Sequence, residues 1–415
     1  MTQPMTNLKL RRPELLVPAG NLEKLRTAVL YGADAVYVGI AGLSLRSAAA
    51  ELTPEKLATA IVEAHAKGVK VYGALNTFAR DKDLVQARRI IPDLYAMDLD
   101  AAIVSDPGMI RIIRKMAPKL PIHLSTQANT TNSEAVRFWG DQGVTRIILA
   151  RELSLREVGK MAATVPDMEL EVFVHGAMCM SYSGRCYLSA YRNCRSANAG
   201  DCSQPCRWEY LLCEATRPHD PLIVEEDERF SYLLSSKDLC LIEHLPEVVA
   251  AGVGSVKIEG RMKSAYYLAV VTRTYRQAID SLMEQKEAYR FDPAWWDELG
   301  TVSHRGYTTG FAFTEEKITE TNPDIKYTQT HEPAGIVLSY DPLRQMVIVD
   351  VRNNLKPGDI LDLLLPYRIV RLDSRIIIDE NGLRLSEAHS GNRIILPCGD
   401  ASPIGAVIRK RAKRA

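Results

Sequence analysis

ELLVPAGNLEKLRTAVLYGADAVYVGI, residues 14–40, contains one full copy of the unit that sets the fold. ELLVPAG is a short apolar run closed by Gly20. Asn21 follows as an N-cap, NLEKLRTAVLYG has helical periodicity, and Gly32 supplies the stop. AVYVGI (35–40) then opens a second apolar run. Runs that are apolar throughout, without alternation, suit strands buried on both faces, and such strands joined by helices form parallel sheets.

The unit recurs. Further strand candidates are KVYGALNT (70–77), AAIVSD (101–106), IHLSTQ (122–127), RIILA (146–150), LEVFVHG (170–176) and SVKIEG (255–260). The helical patterns TPEKLATAIVEAHAKG and SEAVRFWGDQG have Thr53 and Ser133 as N-caps, with Gly68 and Gly143 as stops. Eight strands alternating with helices predict an α/β fold, a TIM-type (β/α)8-like barrel over residues 1–290. An open doubly wound sheet is the alternative. About eighty residues separate the seventh strand from the eighth, and seven of the chain's eight cysteines fall in this insertion, about 177–254. A loop that follows a barrel strand lies at the C-terminal mouth, where barrel active sites are built.

The pattern changes after residue 290. Residues 291–330 read as a short helix and a connecting segment. From 331 to 415, AGIVLSY, QMVIVDV, DILDLLL, YRIVRL, RIIID and NRIILP alternate with turns, which predicts a small C-terminal all-β barrel domain of five or six strands. The chain ends in the basic tail VIRKRAKRA, with Arg409, Lys410, Arg411, Lys413 and Arg414. Such a run either frays into solvent or attracts phosphate.

The chain of 415 residues, with a formal net charge of +1, is long enough to bury a large core without covalent staples. It has no apolar run of membrane-spanning length, and MTQPMTNLKLRRPELL lacks the apolar core and cleavage site of a secretory signal. A reducing, cytoplasmic setting is therefore expected, where clustered cysteines more often bind metal or do chemistry than form disulfides. The spacing is Cys179-x6-Cys186, fifteen residues, then Cys202-x3-Cys206. Only the last pair resembles a zinc knuckle, and no histidine pair follows. Four thiolates without a knuckle also suit an iron–sulfur cluster. Spacing leaves zinc and iron–sulfur both open, with Cys194, Cys213 and Cys240 as spare candidates. A nucleophilic cysteine with His175 as base draws no support from their four-residue separation. Neither H-E-x-x-H nor G-x-S-x-G occurs.

Glu171, Phe173, Gly176, Ala177, Met178, Cys179, Gly184, Cys186, Leu188 and Ser189 together resemble the signature of peptidase family U32, the collagenase-like proteins. ELLVPAG with YGADAVYVG, HLSTQAN, SVKIEGR and HRGYTTGF extend the resemblance over nearly the whole chain. It implies iron–sulfur proteins that carry out oxygen-independent hydroxylations. One branch converts the wobble uridine of tRNA to 5-hydroxyuridine with prephenate. A second hydroxylates a cytidine of large-subunit rRNA, and a third, shorter branch acts in ubiquinone synthesis. The C-terminal β domain and the lack of a longer extension make the chain most similar to the tRNA branch. The rRNA branch and a collagenase-like peptidase are the alternatives. The resemblance implies a 4Fe–4S cluster on Cys179, Cys186, Cys202 and Cys206, with Cys240 as a rival for the fourth place. It also implies tRNA and the keto acid prephenate as partners, while the hydropathy pattern predicts no membrane.

A dianionic keto acid needs guanidinium or ammonium partners. Lys257 and Arg261 end the eighth strand and are the first candidates, for which an ion pair with Glu259 is the structural alternative. Arg151 and Arg46 follow the sixth and second strands. His123 and Gln127 share a face of the fifth strand. Gln127 is placed to hydrogen-bond the base or the keto acid, and His123, deeper, reads as a core histidine. His175 ends the seventh strand beside the cysteines and is a candidate for proton transfer. His304, Arg305 and Tyr307 form a polar–aromatic set that suits either RNA stacking or loop packing.

Overall fold

The computed structural model describes residues 11–45, 52–179, 181–208, 212–214, 217–222, 236–313 and 327–412. The first seven strands are β1 (Glu14–Ala19), β2 (Ala35–Gly39), β3 (Lys70–Leu75), β4 (Ala101–Val104), β5 (Ile122–Leu124), β6 (Arg146–Ile148) and β7 (Glu169–Ala177). Between them run α1 (Leu22–Leu30), α2 (Pro54–His65), α3 (Asp81–Ala96), α4 (Pro107–Met116), α5 (Ser133–Asp141) and α6 (Leu155–Thr164). The insertion holds α7 (Leu188–Asn193), β8 (Leu212–Glu214), β9 (Arg217–Leu222) and β10 (Asp238–Cys240). After α8 (Leu245–Ala250), β11 (Ser255–Ile258) completes the barrel. It pairs in parallel with both β7 and β1, so the eight strands β1–β7 and β11 close on themselves.

The expected caps at Asn21 and Thr53 form: each side chain accepts a hydrogen bond from the amide three residues on. For α5 the cap is Asn132 rather than Ser133. Asn132 has the extended backbone of a cap, and its side chain accepts from the Ala135 amide.

The barrel interior is not purely aliphatic. At its N-terminal end the buried Arg146 guanidinium is shared by three carboxylates. Nη1 donates to Glu14 and to Glu171 Oε2 at 3.2 Å, while Nε and Nη2 grip Glu169 at 3.0 Å each. Tyr72 donates to Glu14 at 2.8 Å. The chain of charges rises from Glu171 to Lys257, whose Nζ lies 3.0 Å from Glu171 Oε1.

After β11 comes the barrel helix α9 (Ala265–Gln285), followed by α10 (Ala294–Leu299) and β12 (Tyr307–Thr308). β10 runs antiparallel to the upper end of β7 and carries β12 on its outer edge. The C-terminal domain comprises β13 (His331–Asp341), β14 (Met346–Val351), β15 (Leu361–Leu364), β16 (Ile369–Leu372), β17 (Ile377–Asp379), β18 (Arg384–Leu385), β19 (Arg393–Pro397) and β20 (Val407–Arg411). It is antiparallel and all-β, as expected, but with eight strands in the order β16-β15-β20-β13-β14-β19-β17-β18, more than the five or six read from sequence. Its own core gathers Val337, Val349, Leu363, Ile394 and Ile408.

As far as Ala412, where the described residues end, the basic tail is not frayed. Val407–Arg411 is an interior strand of this sheet, hydrogen-bonded to β13 and β15. Arg409 is buried against Glu298 and Asp362, and Lys410 pairs with Glu332. Lys413 and Arg414 lie outside the described residues. The sheet docks on the barrel's helices: Tyr31, capping α1, donates to the Leu364 carbonyl at 2.8 Å and accepts from the Val407 amide at 2.9 Å, while Arg273 of α9 donates to Leu365. Contact on both sides explains why most of α9 is buried. Among the described residues no helix is long and apolar enough to cross a membrane.

Candidate functional site

The ends of the barrel strands enclose a cavity of about 120 Å³ at the C-terminal mouth. Its lining brings together Lys257, Arg261, Arg151, Gln127 and Cys179, five of the candidate site residues singled out from sequence, and adds Asn76, Phe173 and Glu259.

Arg151 is held from two sides. Nη1 donates to the Ala177 carbonyl at 2.7 Å, and the guanidinium lies 4.3 Å over the Phe173 ring. Its buried Nε has no acceptor. Arg261 is buried and fills the space above Gly39, where an added Cβ would sit 2.5 Å from Nη1. The glycine that ends β2 therefore admits the guanidinium to the mouth. Lys257 lies between the barrel charges and the cavity, with its ammonium 4.5 Å over the Tyr37 ring. Its bonded carboxylate is Glu171, not the Glu259 suggested by sequence proximity. Burial pushes its pKa down and the Glu171 charge opposes that shift.

Gln127 is off the strand. β5 ends at Leu124, and Gln127 sits in a 3-10 turn, Thr126–Ala128, that Ser125 caps. It still reaches the cavity, and its buried Oε1 has no donor. Asn76, which the sequence reading missed, follows β3. Its carboxamide accepts from the Leu45 amide at 3.2 Å and donates to Ser125 Oγ at 3.3 Å. A polar residue ending a strand candidate was the available signal. His123 is the deep core histidine expected: it packs edge-on to Tyr72 at 4.7 Å, and burial pushes its pKa well down, aided by Arg146 and Lys257.

His175 departs from expectation. It is buried outside the cavity among Tyr267, Tyr275 and Tyr307, with Nδ1 3.4 Å from the Tyr275 hydroxyl and Nε2 unpaired. Burial lowers its pKa to about 3. The cause is a break in register. Lys257 lies opposite Phe173 but Ile258 lies opposite His175, so β7 carries an extra residue there and the side-chain alternation changes phase. The His304, Arg305 and Tyr307 set proves to be packing. Arg305 is buried with Nε and Nη2 at 3.1 and 2.6 Å from Asp238 Oδ1, and His304 stacks on Tyr307 at 4.3 Å. Arg46 lies outside the described residues, as does the side chain of Cys213.

The cysteine lobe covers the mouth. Gly184, at φ +75°, packs so tightly on the Gln127 turn that an added Cβ would lie 2.2 Å from the Gln127 carbonyl oxygen. Ser183 Oγ lies 3.4 Å from Thr126 Oγ1, and its amide donates to Glu152 at 2.8 Å. Within the lobe the Ser203 amide donates to Ser189 Oγ at 3.0 Å, and Asn198 Nδ2 donates to the Cys186 carbonyl at 3.0 Å. These bonds bring the Cys186 and Cys202–Cys206 segments together around α7. Cys179 and Cys194 are exposed, Cys186, Cys202 and Cys206 half-buried, and none is disulfide-bonded. Cys240 differs: it is buried 3.7 Å from the Tyr275 hydroxyl, and burial pushes its thiol up to about 12.

Among the described residues, no three His, Cys, Asp or Glu side chains lie close enough to enclose a metal ion. The donor chemistry of Cys179, Cys186, Cys202 and Cys206 nonetheless fits a soft-metal group: four thiols on one lobe, with the Gln204 amide donating to Cys202 Sγ at 3.4 Å.

A closed parallel barrel whose mouth holds a cationic cavity under a thiol-bearing lobe defines the class of protein. Residues 20–322 match peptidase family U32 and residues 329–409 the peptidase family U32 C-terminal domain, and the chain belongs to this family. It is 39% identical over 395 residues to the tRNA hydroxylation protein P of Escherichia coli, covering 86% of each chain. It is also 39% identical over 393 residues to the tRNA hydroxylation protein P1 of Bacillus subtilis, covering 93% of this chain and 91% of the relative. A third relative, at 34% identity over 309 residues, is a collagenase of Porphyromonas gingivalis, covering 72% and 73%.

Proposed function

We propose that the mouth cavity is the active site of an RNA hydroxylase. It converts the wobble uridine of tRNA to 5-hydroxyuridine without molecular oxygen, using prephenate and a 4Fe–4S cluster on Cys179, Cys186, Cys202 and Cys206, in the cytoplasm. The observation that carries the reading is the similarity, across both domains, to two relatives named for tRNA hydroxylation.

The reaction replaces the C5–H of a uracil by C5–OH, a net two-electron oxidation of the base that has to be matched by a two-electron reduction of the keto acid, the co-substrate of the proposal. When bound, the cluster supplies electron transfer. The rest falls to this chain's side chains. Arg151 and Arg261 present guanidinium groups to the carboxylates of a keto acid. Lys257 adds a positive charge held in place by Glu171. Gln127 Oε1, buried without a donor, accepts from an N–H of the base or a hydroxyl of the acid. The lobe over the mouth limits water. At about 120 Å³ the cavity is smaller than the roughly 300–1,000 Å³ of drug-sized pockets, and it suits a single flipped base or small acid better than a polypeptide. The nucleophile–base pair that a cysteine peptidase would need from Cys179 and His175 does not form: Cys179 reaches the cavity, whereas His175 does not.

Nucleoside mass spectrometry of tRNA and rRNA from cells lacking the protein tests this reading. Loss of 5-hydroxyuridine derivatives, restored by wild type and not by Cys186→Ala, is the expected result. Unchanged tRNA with a changed rRNA cytidine would move the substrate to the ribosome. Unchanged tRNA and rRNA would overturn the proposal.

A further inference from the structure

The cysteine lobe carries a surface that the cavity chemistry does not use. Tyr182, Tyr187 and Tyr191 expose 62%, 73% and 75% of their area to solvent. Tyrosine rings are normally at least half covered, and three on one short segment form an unusual concentration. Tyr187 caps α7 and Tyr191 lies one turn on, its amide donating to the Tyr187 carbonyl at 3.0 Å, so the two rings project from one side of the helix. Tyr182 and Arg185 close the turn that contains Gly184, the residue pressed onto Gln127 at the cavity rim. Tyr182 therefore belongs to the turn that meets the rim of the mouth, and α7, with Tyr187 and Tyr191, follows that turn directly in the chain.

The charge around them has one dominant sign. Between residues 181 and 208 the sequence has four arginines, at 185, 192, 195 and 207, against one acid, Asp201. Arg185, Arg192 and Arg195 are all exposed. Arg195 is paired with Asp201, and the balance of charge on the segment stays positive. Aromatic faces with interleaved arginines match one ligand chemistry closely: unpaired nucleotides, whose bases stack on rings and whose phosphates meet guanidinium groups. A base-paired helix keeps its bases stacked inside and has no use for such rings.

We infer that Tyr182, Tyr187 and Tyr191, with Arg185 and Arg192, form a platform for single-stranded RNA. The platform grips the unpaired nucleotides flanking the target base and presents that base to the mouth. The inference rests on the RNA reading of the cavity and extends it to how the substrate is recognised: an open loop is accepted and a duplex is not.

Binding, not turnover, tests it. Anaerobically purified full-length protein is titrated against a fluorescent anticodon stem-loop, a fully paired duplex of equal length and heat-denatured collagen, at several salt concentrations. Wild type is expected to bind the stem-loop over the duplex. Tyr187→Ala and Tyr191→Ala should each weaken stem-loop binding by about fivefold or more, whereas Tyr187→Phe and Tyr191→Phe should bind as wild type. Arg185→Gln and Arg192→Gln should flatten the salt dependence, by roughly one unit of log–log slope for each phosphate that is no longer neutralised. If wild type binds the stem-loop and the alanine variants bind it equally well, the platform is refuted and the hydroxylase reading stands. If wild type binds no RNA, both fall. If the alanine variants lose binding to denatured collagen instead, the surface belongs to a polypeptide partner and the inference is overturned.

Discussion

Glu171→Gln tests the charge chain that links the barrel floor to the cavity. The wild-type carboxylate is fully buried and accepts from two cations, Lys257 at 3.0 Å and Arg146 at 3.2 Å. The two partners are not equally dependent on it. Arg146 keeps Glu14 and Glu169 when Glu171 is neutralised, whereas Lys257 loses the carboxylate bonded to its ammonium. Removing one partner of a buried pair costs about 3–5 kcal/mol, because the other charge is left in a poor solvent. Lys257→Met leaves Glu171 still bonded to Arg146 and should cost less, about 1–3 kcal/mol. The double variant buries no stranded ammonium, so its cost should fall short of the sum of the single variants by about 2 kcal/mol. Folded-state burial lowers the Lys257 pKa below its unfolded value, and losing Glu171 lowers it further. The folded state then binds fewer protons than the unfolded chain, so stability rises with pH toward 10.5, and the Glu171→Gln deficit should shrink in that direction. The assay is urea unfolding followed by tryptophan fluorescence. All four tryptophans (139, 208, 295 and 296) precede the C-terminal domain and so report on the barrel side. Additive single and double variants, or a deficit that grows with pH, would refute the reasoning.

Three further tests address other parts of the structure. His175 is neutral in the fold, with its pKa lowered from 6.5 to about 3, so its contribution is complete above pH 6.5 and is lost as pH falls toward 3. His175→Phe should remove about 1.4 kcal/mol per pH unit from the acid dependence of unfolding in that window, and an unchanged slope would contradict the assignment. Gly184→Ala places a Cβ on the Gln127 carbonyl at positive φ, so the lobe should lift from the mouth and residues 177–208 should be cut faster by protease, whereas Gly382→Ala, with open space around it, should not speed that cleavage. Iron content after anaerobic purification should fall in Cys206→Ala and stay at the wild-type level in Cys240→Ala; the reverse result would transfer the fourth ligand to Cys240.

The barrel was legible because its signal is local: apolar runs mark all eight strands, caps and glycine stops punctuate three of the helices between them, and each strand lies where its run does. Except at the seventh strand, the runs overestimate strand length at the C-terminal end for a physical reason. Asn76 and Gln127 leave the hydrogen-bond ladder to face the cavity, so they belong to the site and not to the strand. Features that depend on distant partners were not legible. Lys257 meets a carboxylate 86 positions away on a neighbouring strand. His175 is turned out by one extra residue in β7, which counting in twos along the strand cannot show. The run VIRKR reads as a solvated tail because charge pattern alone does not reveal that Glu298, Asp362 and Glu332 receive it. Arg305 misled in the same way, since its partner Asp238 comes from the insertion.

The most direct test of the cavity as a hydroxylating site uses purified protein and unmodified tRNA with prephenate under strict exclusion of oxygen, read by mass spectrometry of the digested RNA. Wild type is expected to add one oxygen atom to the wobble uridine, and Arg151→Gln and Cys186→Ala to add little or none. Equal hydroxylation by Arg151→Gln would place the chemistry outside this cavity, and an unmodified uridine with wild-type protein would contradict the proposed activity itself.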